Sequence, residues 1–151
     1  MSRIGRFRFS LETVLKVRRL KEEQARGEVA RAVQQLERSR LSLAETENRW
    51  QGLLSELRGA VQREWASTEY QRFKEYLDHL KLAIIGWQEQ IAQQEQELAE
   101  KKLILQSLYQ ERRLLEQLRE KKYQEYKREA QKVWENENEA VTLGRWKVAE
   151  P

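Results

Sequence analysis

The chain has 151 residues, a net charge of +4, no cysteine, 1 histidine and 1 proline, with 36% charged residues and a mean hydropathy of −0.93. These figures exclude disulfide scaffolds, cysteine or multi-histidine metal centres and membrane spans, and 39% apolar residues are too few for a large three-dimensional core. Much of the chain is Glu, Gln, Arg, Lys, Leu and Ala, the strong helix formers, which argues against disorder.

Residues 1–9 form a basic N-terminal segment with Arg3, Arg6 and Arg8. No apolar stretch of about 7–15 residues follows, so the segment does not read as a secretory signal. The longest aliphatic run, Leu82 to Ile85, is far short of the roughly 20 residues of a spanning helix.

From Val29 the apolar residues keep a heptad through Leu36, Leu43, Trp50 and Leu57. A companion row four residues on reads Val33, Arg40, Glu47, Leu54 and Val61, apolar at its ends and charged in its middle. A second stripe combines Leu77, Ile84, Ile91, Leu98 and Leu105 with Phe73, Leu80, Trp87, Gln94, Lys101, Leu108 and Leu115. Sustained three-four spacing is the mark of a coiled coil. Past Leu115 the apolar set becomes Leu118, Tyr123, Tyr126, Ala130 and Val133, which places a stutter near Arg119.

Between the stripes, a turn near 58–69 is signalled by Gly59 and by Ser67 or Thr68 as the next N-cap, with Thr68 to Gln71 spaced as a capping box. The fold class is therefore all-α: two long helices in one antiparallel coiled-coil hairpin over residues 10–141, the second helix longer than the first, followed by a flexible tail over 142–151. With the tip near Ala66, the numbers of facing residues add to about 132, so Arg40 lies across from Gln94 and the first arm ends opposite Lys122. The second helix then overhangs by about 20 residues, a length that is marginal alone in water.

Charge follows this topology. Residues 1–26 hold 8 Lys or Arg against 3 Glu, and residues 112–128 hold 7 against 3, whereas residues 27–111 hold 11 against 14 acidic groups. Antiparallel pairing gathers the two basic stretches at the end away from the turn, where they attract an anionic partner. The interleaved Glu12, Glu22, Glu23, Glu116, Glu120 and Glu125 would repel phosphates, so an acidic protein surface is the expected partner and nucleic acid is not.

No phosphate loop, metalloprotease motif or nucleophile motif is present, and His79 beside Asp78 falls on the outer face, so the chain reads as a non-enzyme without metal or cofactor. Arg40, Glu47, Gln94 and Lys101 read as polar seam residues that set register, and Trp50 and Trp87 as core. Trp65, Trp134 and Trp146 are left without a seam partner. Tyr123, Tyr126 and Trp134 are either a docking surface or simple aromatic decoration of the overhang. The row Phe73, Leu77, Leu80 and Ile84 is either core or, with the first arm ending early, a partner site.

The opening string Phe7-x-Phe9-x-Leu11-x-x-Val14-Leu15-x-x-Arg18, followed by Glu22 and Glu23, resembles the start of the flagellar export protein FliJ. The likeness continues through Tyr70-Gln71-Arg72-Phe73 and the region from Arg113 to Ala140. The resemblance implies a cytoplasmic, non-enzymatic stalk of the flagellar type III export apparatus, peripheral on the cytoplasmic side of the cell membrane and monomeric when free. It implies three partners: the flagellar export ATPase, the export gate protein FlhA and export chaperones. The basic end it places in the ATPase ring carries Arg6, Phe7, Arg8, Phe9, Arg18, Arg19, Arg119, Lys121, Lys122 and Tyr126. The gate-contact row it implies is Phe73, Leu77, Leu80 and Ile84. The alternatives are a generic coiled-coil scaffold and the equivalent stalk of a virulence secretion system.

Overall fold

The computed structural model describes residues 5–61 and 66–149, apart from the side chains of 147–149. Arg3, Trp65, the middle of the expected turn and the last two residues lie outside the described residues. Two helices account for nearly all of the rest, α1 over Glu12–Val61 and the longer α2 over Ser67–Ala149, packed antiparallel as an all-α coiled-coil hairpin. Among the described residues there is no strand.

Helix α1 opens where the Glu12 amide donates to the Phe9 carbonyl and that of Leu15 to the Leu11 carbonyl, with the Glu12 carboxylate in the first turn and Arg58 in the last, both matching the helix dipole. At the start of α2 the Ala66 carbonyl accepts from the amides of both Glu69 and Tyr70, which makes Ala66 the cap and puts Thr68 inside the first turn. The expected capping box is displaced accordingly, and the Glu69 charge serves the dipole in its place. Helix α2 continues past the residue at which the sequence places the tail, and the Thr142 hydroxyl donates to the Asn138 carbonyl at 2.8 Å.

The chain divides into a central unit, residues 24–105, and a terminal unit, residues 1–23 with 106–151. In the central unit α2 contributes the expected rows: Leu77 and Leu80 are buried, and Phe73, Ile84, Trp87, Ile91, Gln94, Leu98, Lys101 and Leu105 are half-buried. The α1 row of Val29, Leu36, Leu43, Trp50 and Leu57 is likewise turned inward.

Of its expected companion row only Val33 and Leu54 are half-buried. Arg40, Glu47 and Val61 are exposed, and the inward row lies one position earlier, at Ala25, Ala32, Ser39, Thr46, Leu53 and Ala60. The physical reason is that small side chains let α1 seat the large α2 residues, while Arg40 and Glu47 keep their hydration. Arg40 reaches Glu95 at 3.0 Å, one residue from the expected partner. Gln94 and Lys101 remain on the seam, and the Gln94 Oε1 is buried with no hydrogen-bond partner among the described residues, a locally costly arrangement.

In the terminal unit Leu11, just ahead of α1, and Leu15, Arg18 and Glu22 on α1 are turned inward, and Leu15 is completely buried. Helix α2 answers with Leu108, Arg112, Leu115, Arg119, Tyr123, Tyr126, Ala130 and Val133. The two successive steps of four, from Leu115 to Arg119 to Tyr123, are the stutter. Leu118, expected inside, is turned out because Arg119 takes the seam position. Farther along, Trp134, Val141, Leu143 and Trp146 are all more than half exposed.

Candidate functional site

The terminal unit holds most of the residues that sequence reasoning selected. Ahead of α1, burial alternates with period two: Arg6, Arg8 and Ser10 are exposed, while Phe7, Phe9 and Leu11 face inward. That alternation is the pattern of extended backbone. The segment lies along α2 on an aromatic cluster. The Phe7 ring centroid is 5.1 Å from that of Tyr123 in an edge-on pair and 5.6 Å from that of Tyr126, and the Arg119 guanidinium lies 5.7 Å from the Phe7 ring. The Tyr126 hydroxyl donates to the Gly5 carbonyl at 2.9 Å. Tyr123 and Tyr126 therefore hold the chain's own N-terminal segment, a contact that hydropathy periodicity alone does not reveal.

A ladder of ion pairs joins the helices behind this cluster. Arg119 Nε donates to Glu12 at 2.8 Å, Arg18 reaches Glu111 at 2.7 Å and Arg19 reaches Glu116 at 3.2 Å. Arg112 bridges two carboxylates: its Nε and Nη2 both donate to Glu22, and its Nη1 donates to Glu116 at 2.9 Å. Glu22 is only 3% exposed. The hydrogen bond from Arg119 holds the Glu12 carboxyl below its usual range. At Glu116 burial pushes upward, but the hydrogen bonds from Arg112 and Arg19 outweigh it and leave the carboxyl lowered. The Glu22 hydrogen bonds raise Arg112 further.

This ladder divides the basic residues singled out from the sequence. Arg18, Arg19 and Arg119 are engaged across the helix pair, and Lys122 approaches Glu125 on its own helix at 3.6 Å. Arg6, Arg8 and Lys121 are exposed with no ion-pair partner among the described residues. Phe9 is buried, and Phe7 and Tyr126 are half-buried. The segment from Gly5 to Ser10 and the α2 residues Lys122, Glu125, Tyr126 and Glu129 enclose a cleft of about 540 Å³. Glu125 and Glu129 were not singled out as site residues from the sequence, and the three- and four-residue steps from Lys122 and Tyr126 are the signal that could have found them.

In the central unit Leu77 and Leu80 are 7% and 5% exposed, respectively, and belong to the core. Phe73 and Ile84 are half-buried at its edge, and Phe73 joins Leu53, Arg72 and Tyr76 around a cavity of about 220 Å³. His79 and Asp78 are exposed, and no cluster of three or more His, Cys, Asp or Glu residues suited to a metal occurs among the described residues. Among the described residues no helix is long and apolar enough to cross a membrane.

The model of the family described as FliJ, flagellar FliJ protein, matches residues 7–137. That is most of the chain, and the chain belongs to this family. No match was found among the curated proteins or among the solved structures. Membership makes the chain a flagellar export-related protein.

Proposed function

We propose that this FliJ-family chain acts as a stalk that couples the flagellar export ATPase ring to the export gate protein FlhA, and that it escorts export chaperones, working in the cytoplasm against the membrane-bound apparatus. The observation that carries the ring contact is the division of charge in the terminal unit. Its internal ion pairs use Arg18, Arg19 and Arg119 to hold the helices, while Arg6, Arg8 and Lys121, exposed and without an ion-pair partner among the described residues, are available to an anionic partner. Such a stalk performs no chemistry. It biases the ring by binding some subunit states better than others, and its effect is bounded by that difference in affinity.

Charge reversal of Arg6 and Arg8 together should abolish stimulation of the ATPase at unchanged helicity and melting temperature. Reversal of Arg18 and Arg19 should lower the melting temperature as well, because Glu111 and Glu116 lose their partners. Full stimulation by the Arg6–Arg8 variant overturns the ring reading. For the gate, Phe73 offers a half-buried apolar edge on the cavity that Tyr76 also lines, Ile84 is half-buried farther along α2, and Leu77 and Leu80 are buried. Phe73→Ala should weaken gate binding more than it lowers thermal stability, and Leu80→Ala should do the reverse. The free chain should sediment as a monomer of 18.2 kDa.

A further inference from the structure

We infer that the segment from Gly5 to Phe9 is an open backbone edge that takes an extended, acidic stretch of a protein partner as an added strand, with Arg6 and Arg8 reading its carboxylates. Three observations converge on it. The burial alternation makes the segment strand-like, with Phe7 and Phe9 anchored inward and both arginines outward. Among the described residues, the backbone groups of Arg6, Phe7 and Arg8 make no hydrogen bond within the chain; the segment is held by its rings, by the Gly5 carbonyl and by the turn bond from Glu12 to Phe9. The cleft of about 540 Å³ runs beside this edge, with its far wall supplied by α2. A backbone edge presented by a rigid aromatic seat is what strand addition needs, since main-chain bonds supply affinity and alternate side chains supply specificity.

Charge sets the identity of the occupant. One face of an added strand meets Arg6 and Arg8, which fit carboxylates spaced two residues apart. The other face meets Tyr126, Glu125 and Glu129, with Lys122 at the margin, so apolar or basic side chains fit there and carboxylates are repelled. The preferred partner is thus a segment alternating acidic with apolar residues. This inference rests on the ring-contact reading for its biological setting, and the two can fail separately.

The test uses the full chain and a fluorescent peptide alternating glutamate with valine, followed by anisotropy. The peptide should bind, and R6E/R8E should weaken it by about tenfold or more, as expected for two charge-assisted contacts. N-methylation of the amides on its pairing edge should cause a comparable loss, and an all-glutamate peptide should bind less well. Charge reversal of Lys81 and Lys102, exposed in the central unit, should leave binding unchanged. Amide exchange at Arg6 and Arg8 should slow on binding. Equal affinity for the N-methylated peptide, or for a helical acidic peptide of the same charge, overturns the strand. If the peptide fails to bind while R6E/R8E still abolishes ATPase stimulation, the edge is wrong and the ring contact stands. If it binds as expected while R6E/R8E leaves stimulation intact, the edge stands and the ring contact is wrong.

Discussion

In the central unit the inward face of α1 carries Ala25, Ala32, Ser39 and Ala60 while that of α2 carries the bulky Leu77, Leu80, Ile84 and Trp87, whereas in the terminal unit the same two helices present Glu22, Arg18 and Glu12 to Arg112, Glu111 and Arg119. The first kind of seam gains stability from fit and apolar burial, with little to forbid a shifted register. The second is geometrically exacting, since each guanidinium must meet a particular carboxylate. One helix pair thus combines a seam specified by volume with a seam specified by charge. The charged seam adjoins the segment from Gly5 to Phe9, where Arg6 and Arg8 are exposed.

The largest effect that would break this contrast is expected at Glu22. Glu22→Ala leaves Arg112 facing a half-buried void, and the terminal unit should lose about 3 kcal/mol, the lower end for a broken buried pair because Arg112 keeps some solvent contact. Replacing Glu22 and Arg112 together by leucine should recover most of that loss while loosening register, measurable by urea unfolding and by cross-linking of facing positions. Additive losses in the double variant would mean that the pair is not the organising contact.

In the central unit the matching test is Ala32→Leu. Ala32 is buried on the inward face of α1, so the larger residue should overpack the seam and cost about 2 kcal/mol. Had the inward row been the one containing Arg40 and Glu47, position 32 would lie on the flank and leucine there would be neutral or stabilising.

That alternative is the one the sequence suggests, and the reason is instructive. On α2 the core is written in Leu, Ile, Phe and Trp, so both rows and the stutter near Arg119 are legible from hydropathy. On α1 half of the seam is alanine, serine and threonine, which carry almost no hydropathy signal, and the reading slides one residue toward Val33 and Leu54. Leu118 shows the opposite error: its apolar character draws it inward, although Arg119 fills the seam. The acidic residues among the basic stretches are visible in the sequence, but their pairing with individual arginines appears only once the register is fixed. The placement of Phe7 on Tyr123 and Tyr126 depends on a non-helical segment, to which helical periodicity is blind.

Acid should separate the two seams further. Glu12 and Glu116 have carboxyl groups lowered from an ordinary value of 4.5, so the stability they contribute is present above that value and is lost as pH falls below it. Arg112 is raised from a value already far above the working range and adds no pH dependence there. Melting followed from pH 7 to pH 3 should show a decline below about pH 4.5 that is shallower in E12Q/E116Q, with the variant less stable at pH 7 and converging on the wild type in acid. A parallel decline in both proteins would remove these carboxylates from the account.

The smallest expected effect is a gain. Gly86 sits within α2 in the central unit, off the seam, and an added Cβ there meets no atom within 4 Å. Gly86→Ala should therefore stabilise the helix by about 1 kcal/mol, since it removes only the backbone freedom that glycine brings to the unfolded chain. Because the substitution touches no ion pair, its distribution along the chain is informative. If the units open independently, amide exchange should slow by about fivefold in residues 24–105 and stay unchanged in residues 106–126. Equal slowing in both would mean that the charged and apolar seams open as one cooperative block, so that their difference lies in how register is specified and not in how stability is divided.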